Sequence, residues 1–186
     1  MTRKFYGILV LVAAAMFSGA AMAAETTSAN SNFYVGGHLG ITDTGWESPW
    51  SSTGGFGFDI LGGYQLNSMW SFEGNFTHYG DATWSGNSIS TNSFAGDAKF
   101  SLPIGQSKWS GFTKLGLANT FNSGYVSNSH FGLTMSYGID LPILPNLTGE
   151  AIYTHNIGRY EASSKVPNTD FYGLGVVYRL PASLFS

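Results

Sequence analysis

Residues 171–180 read Phe-Tyr-Gly-Leu-Gly-Val-Val-Tyr-Arg-Leu, and no other stretch narrows the fold as far. With a two-residue side-chain period, Tyr172, Leu174, Val176, Tyr178 and Leu180 share one face, and Gly173, Gly175, Val177 and Arg179 share the other. One face is apolar throughout, with aromatics near both ends. The other carries two glycines and a guanidinium, a poor core in water but well suited to the inside of a narrow barrel whose outside meets lipid. A tilted membrane strand needs about 9 to 11 residues, and this one can cross.

A strand of this kind does not cross alone, because open sheet edges cannot face hydrocarbon; the sheet must close. The same alternation predicts strands over 33–42, 55–65, 70–79, 93–104, 109–121, 131–141, 147–156 and 171–180. Outward faces carry, for example, Phe33, Val35, Leu39 and Ile41, or Phe131, Leu133, Met135, Tyr137, Ile139 and Leu141. Leu61 interrupts an otherwise polar inward face, and 109–121 is the least regular strand. Short connections are expected around Asn67-Ser68, at 105–108 and at 142–145, and long polar ones at 43–54, 80–92, 122–128 and 157–170. Their alternation matches bacterial barrels, which keep short turns on the periplasmic side and longer loops outside the cell. The expected fold is all-β: an eight-stranded antiparallel transmembrane up-and-down β-barrel with both termini in the periplasm.

Only 10% of the chain is charged, against roughly a quarter in soluble domains. Arg3 and Lys4 precede an apolar run to Phe17, and Ala21-Met22-Ala23 offers small residues to a signal peptidase. Residues 1–23 are therefore expected to be a signal peptide and 24–186 the barrel domain. Losing those two basic residues lowers the formal charge from −3 to −5. The mature chain has no basic patch, which argues against nucleic acid as a partner. The sequence holds no cysteine, which excludes a disulfide scaffold and thiolate chemistry.

Asp59, Glu73, Asp97, Lys99, Lys114, Asp140, Glu150 and Arg179 fall on inward faces as a lumenal charge network. Ionisable groups at membrane depth commonly mark an ion path or relay. Alternatively they pair across the lumen as a plug, since burying them unpaired is costly. An eight-stranded barrel is just wide enough for side chains to fill it, which favours the plug. His38, His78, His130 and His155 form no His-x-x-x-His pair; no metal or cofactor is expected, and rim or loop positions are assigned to them. Catalysis would require one of them to meet a serine and an acid near the outer rim, as in a lipid A-modifying barrel enzyme. Trp70, Trp109, Tyr172 and Tyr178 suit interfacial girdles, whereas Trp46, Trp50 and Trp84 fall in long loops, either packing them or forming a contact surface.

Gly62-Gly63-Tyr64-Gln65-Leu66-Asn67 with Phe72-Glu73, Ala98-Lys99-Phe100, Thr113-Lys114-Leu115-Gly116, Asn156-Ile157-Gly158 and Leu174 to Leu180 occur in an order and spacing that resembles the outer membrane protein A family. The likeness is to its N-terminal eight-stranded transmembrane domain. In that family a lumenal glutamate exchanges basic partners to close the channel; Glu73 and Lys99 match two members of that network, while Ser136 replaces a second glutamate and Thr148 stands near an expected arginine. The chain ends six residues after Leu180, so the family's periplasmic peptidoglycan-binding domain is not expected here. The resemblance implies a non-enzymatic, monomeric outer-membrane protein of a Gram-negative cell, structural or adhesive in role. Its implied partners are outer-membrane lipids and lipopolysaccharide, the barrel assembly machinery through 171–180, and a host surface ligand of the loops. A small gated porin is the alternative if a continuous wet path crosses the lumen.

Overall fold

The computed structural model describes residues 30–45, 54–85, 87–125, 127–161 and 164–184. Among these residues ten strands are formed: β1 (Asn30–Thr44), β2 (Gly54–Gln65), β3 (Trp70–Trp84), β4 (Asn87–Pro103), β5 (Ser110–Gly124), β6 (Ser129–Leu144), β7 (Leu147–Asn156), β8 (Arg159–Glu161), β9 (Ser164–Val166) and β10 (Thr169–Pro181). Eight of them close into an antiparallel barrel in the order β1-β10-β7-β6-β5-β4-β3-β2, while β8 and β9 make a separate hairpin between β7 and β10. Closure satisfies the backbone on both sides of every barrel strand, the condition for crossing a bilayer without exposed edges.

The hydrophobic pattern settles which way each strand faces. Leu39, Ile41, Phe56, Ile60, Phe72, Phe94, Leu115, Phe131 and Leu174 are exposed on the outside, while Tyr34, His38, Asp59, Glu73, Lys99, Lys114 and Glu150 are buried within. This inversion of a soluble protein is the mark of a barrel with lipid as its outer solvent. At one end the connections are tight and fixed by side chains. Asn67 Oδ1 accepts from the Met69 and Trp70 amides, both at 2.9 Å, and Ser107 Oγ donates to the Ile104 carbonyl at 2.7 Å.

Four connections differ from their sequence expectation, the first being 157–170, which holds the β8–β9 hairpin and the start of β10 at Thr169. The region 80–92 is not a long loop: β3 runs to Trp84 and β4 starts at Asn87, with Thr83 paired to Ser88. Ile89 and Thr91 keep the inward parity of β4, whereas Ala82 is buried on the parity opposite to Tyr79; beyond the bilayer the outer face meets water, so the composition turns polar and reads as loop. The register slips between His78 and Asp81, where Gly80 takes a φ of 80°, the left-handed value that glycine adopts without strain. The 122–128 connection shrinks because β5 extends to Gly124, and 142–145 because β6 continues past Pro142 to Leu144 with an irregularity in its pairing with β7. The 109–121 strand is regular after all: Phe112, Lys114, Ala118 and Thr120 are buried, and Leu115 and Leu117 are exposed.

Candidate functional site

The lumen is the most chemically concentrated part of the molecule, and it is organised in layers. At the turn end lies a cavity of ≈ 280 Å³ bordered by Gln65, Ser101, Thr148 and Arg179, with Lys99, Asp140 and Glu150 at its inner wall. Arg179 donates to Gln65 Oε1. Among the described residues it forms no ion pair, so it stands apart from the charge network to which the sequence assigned it.

Above the cavity, five strands bring their charges together. Lys99 Nζ lies 2.7 Å from Glu150, 3.2 Å from Asp140 and 3.9 Å from Glu73. Lys114 Nζ lies 2.6 Å from Glu73 and 3.2 Å from Glu150. The Phe112 ring lies beneath both ammonium groups, 3.9 Å and 5.1 Å from its centroid, adding a cation–π contact in a desolvated place. Tyr34 donates to Glu73 at 2.8 Å. The expected Glu73–Lys99 pair is thus the longest contact of the cluster, and Glu73 belongs first to Lys114.

Although its isolation in sequence suggests a rim or loop position, His38 lies at neither but within β1, facing the lumen. Its side chain is buried, with Nδ1 2.8 Å from Asp59 and Nε2 3.4 Å from Glu150. The signal was available, since His38 shares the inward parity of Tyr34 and Thr42. Room for the imidazole comes from across the strand pair: a Cβ at Gly175 would collide with the Gly37 carbonyl and the His38 ring, and one at Gly63 with the Tyr34 ring. Thr77 donates to Asp59 at 3.1 Å, and Asn75 donates to Asp97 at 2.5 Å.

Toward the loop end, charge gives way to hydroxyls and apolar groups. From Phe112 beneath the lysines, a buried cluster continues through Ile152 to Tyr79 and Phe171. Asn156 Nδ2 donates to the Tyr79 hydroxyl at 2.7 Å and to Ser93 at 3.2 Å, and Thr42 donates to the Tyr79 carbonyl at 2.7 Å. Ile89 and Val166 are fully buried at this end.

Outside, Trp109, Tyr172 and Tyr178 are exposed, and Trp70 is half-buried against Phe100, with ring centroids 4.8 Å apart. That contact leaves Phe100 buried despite its outward parity. Trp84 ends β3 rather than lying in a long loop; Trp46, Trp50 and the leader 1–23 fall outside the described residues. His78 contacts Asn92 and His155 contacts Asp170, each at 2.8 Å. His38, His78 and His155 are therefore each tied to partners other than serine, and among the described residues no group of three or more histidine, aspartate or glutamate side chains is arranged to hold a metal ion.

A family model described as the outer membrane protein beta-barrel domain matches residues 9–179. Among solved structures, Neisserial surface protein A superposes with a TM-score of 0.66 at 22% identity, over 81% of this chain and 98% of its own. The N-terminal β-barrel domain of Pseudomonas aeruginosa OprF gives 0.56 at 13% identity, over 81% and 99%. Ail, the attachment invasion locus protein of Yersinia pestis, gives 0.54 at 18% identity, over 81% and 99%; it has also been solved with the heparin analogue sucrose octasulfate. At these identities the likeness is one of fold. No curated protein matches the chain.

Proposed function

Because the chain belongs to the outer membrane protein β-barrel family, we propose that it is a non-enzymatic outer-membrane barrel with a plugged lumen, whose work is structural or is done by its loops at the cell surface. The observation that carries this reading is the filling of the lumen: Lys99 and Lys114 knit Glu73, Asp140 and Glu150 together across the middle, and Tyr79 and Phe171 are buried above them. A solute path would have to break several ion pairs in a place where unpaired charge is expensive.

In this reading residues 1–23 direct export, the short turns and both termini face the periplasm, β10 is the strand recognised by the assembly machinery, and the barrel is a monomer surrounded by lipid and lipopolysaccharide. The loop side then meets the outside world, including a host surface ligand. Ail's sulfated ligand does not transfer directly, since a mature chain of formal charge −5 lacks the basic patch that polyanions require.

Glu73 also supports a second reading, a small gated porin, because it sits within reach of both Lys114 and Lys99 and can exchange between them. The two are separated by reconstituting the protein in planar bilayers beside a Glu73→Ala variant, after heat-modifiable gel mobility has shown that each is folded. Silence from the native barrel supports the plug. Steady conductance that changes at Glu73 assigns the porin instead. Binding of intact cells to host surfaces, with residues 157–168 replaced by a Gly-Ser linker, tests the adhesive role; unchanged binding removes that loop from it.

A further inference from the structure

The outer wall is not uniform around the barrel. On β2 to β5 a continuous aromatic band fills the belt, with Phe58, Phe76, Phe94 and Phe121 in succession at ring-centroid separations of 6.1, 4.9 and 5.8 Å. On β6, β7, β10 and β1 the directly paired outward residues form different rows. From the turn side these are Leu141–Gly149–Val176–Gly37, then Ile139–Ala151–Leu174–Leu39, then Tyr137–Tyr153–Tyr172–Ile41, and last Met135–His155–Asp170–Asp43.

Two features stand out in those rows. Ala151 leaves β7 low between Ile139 of β6 and Leu174 of β10, and Ile139, Ala151, Tyr137, Tyr172 and Leu174 border the resulting furrow; one row nearer the turns the Ile143 side chain covers Gly149. The furrow runs from the Ala151 row to the Tyr153 row, roughly 7 Å at about 3.4 Å per residue along a strand. At its loop end it meets three tyrosines and then charge. The Tyr153 and Tyr172 ring centroids are 4.9 Å apart. The Tyr153 hydroxyl donates to Asp170 Oδ1 at 2.6 Å, and His155 Nδ1 reaches the same oxygen at 2.8 Å; Oδ2 is engaged by neither.

Directly across from Asp170 on the same face stands Asp43. Like charges opposite each other on neighbouring strands are unfavourable; His155 lies beside Asp170, whereas Asp43 has no ion pair among the described residues. A cation between the two carboxylates removes that repulsion, and tyrosine faces attract an ammonium group. We propose that this face binds one amphiphile, its acyl chain in the β7 furrow and its ammonium-bearing head held by Asp43, Asp170 and the Tyr137–Tyr153–Tyr172 row. An anionic head would meet two carboxylates instead. The proposal rests on the membrane-barrel reading but not on which side the loops face.

The test uses the whole barrel refolded in dodecyl maltoside, with backbone amide shifts followed during titration with didecanoyl phosphatidylethanolamine or didecanoyl phosphatidylglycerol. Saturable shifts at Ala151, Tyr153, Tyr172 and Leu174, absent from Phe76 and Phe94, are expected with the ethanolamine lipid, at least tenfold tighter than with the glycerol lipid. Ala151→Phe should abolish them, and Asp43→Asn with Asp170→Asn should erase the head preference. Equal affinity for both heads, or shifts spread evenly around the barrel, would overturn the site as ordinary surrounding lipid. Tighter glycerol-lipid binding on adding magnesium would overturn it in favour of a metal-bridged phosphate. The head comparison on the unaltered barrel decides the matter even where a variant fails to refold. Loss of heat-modifiable mobility in the unaltered protein would count against the barrel itself rather than the site.

Discussion

The two halves of the lumen are filled by opposite means. In the turn half, two lysines hold three carboxylates, and His38 links Asp59 to Glu150. In the loop half, Tyr79, Phe171 and Ile89 fill the space, with the Asn156 amide donating to the Tyr79 and Ser93 hydroxyls. The charged half depends on complete pairing, because any carboxylate left alone there keeps its full desolvation penalty. The apolar half depends on volume, because a lost ring leaves a void that its neighbours cannot fully close. The barrel thus has one end that fails by electrostatics and another that fails by packing.

The largest effect should come from the charged half. Lys114 is the nearest cation to Glu73 and also contacts Glu150, and its side chain is 2% exposed. Lys114→Met removes the cation and leaves both carboxylates inside, so urea unfolding from lipid vesicles should show a loss of roughly 3–5 kcal/mol. A loss below about 1 kcal/mol would mean that Lys99 takes over both partners, and the contrast between the halves would weaken. Phe171→Ala probes the other half. Phe171 is 1% exposed and packs in the Tyr79–Ile152 cluster, so its truncation should cost about 3 kcal/mol. That loss should not change with ionic strength.

Much of this contrast was legible in the sequence, but unevenly. Strict alternation identifies Glu73, Lys99, Lys114, Asp140 and Glu150 as inward because a charge on the lipid face is so unfavourable that parity alone decides. Their pairing was not legible. Glu150 on β7 meets Lys99 on β4 and Lys114 on β5, contacts set by how the closed sheet staggers its strands and not by spacing along the chain. The loop half was read less well. Above the bilayer Ile89 and Thr91 keep the inward parity while Ala82 reverses it after the slip between His78 and Asp81, and outward residues there need not be apolar, so the two-residue contrast fades into what reads as a loop. His155 and Asp170 were hidden for a related reason: Asp170 was read as the end of a loop, whereas β10 begins at Thr169 and sets it opposite His155.

A smaller effect is expected at the polar seam of the loop half. Asn156 Nδ2 donates to both Tyr79 and Ser93, and Asn156→Ala strands the Tyr79 hydroxyl in a buried site. Leaving a buried polar group without its partner costs about 1–3 kcal/mol, and the lower part of that range is expected because Ser93 Oγ remains 3.4 Å from the same hydroxyl. Urea unfolding of this variant beside Phe171→Ala ranks hydrogen bonding against volume within one layer. A larger loss for Asn156→Ala would make the loop half a hydrogen-bonded plug, closer in kind to the charged half than its composition suggests.

The smallest effect is expected from a charge that lies in the lumen yet outside the network. Arg179 borders the turn-end cavity and donates to Gln65, and it has no ion pair among the described residues. Its neighbours across the strand pairs are Tyr34 on β1 and the Asn146 carbonyl, to which its own amide donates at 2.8 Å. The backbone bond survives any side-chain change, and the cavity admits water to whatever replaces the guanidinium. Arg179→Gln should therefore shift unfolding by no more than about 0.5 kcal/mol, the range of surface substitutions. A loss comparable to that of Lys114→Met would show that the charged half extends through the cavity to the turns, with Arg179 electrostatically coupled to Asp140 and Glu150 across its width. Equal losses in low and high salt would locate that coupling away from solvent, because exposed charges are screened beyond roughly 10 Å at 0.1 M ionic strength and buried ones much less.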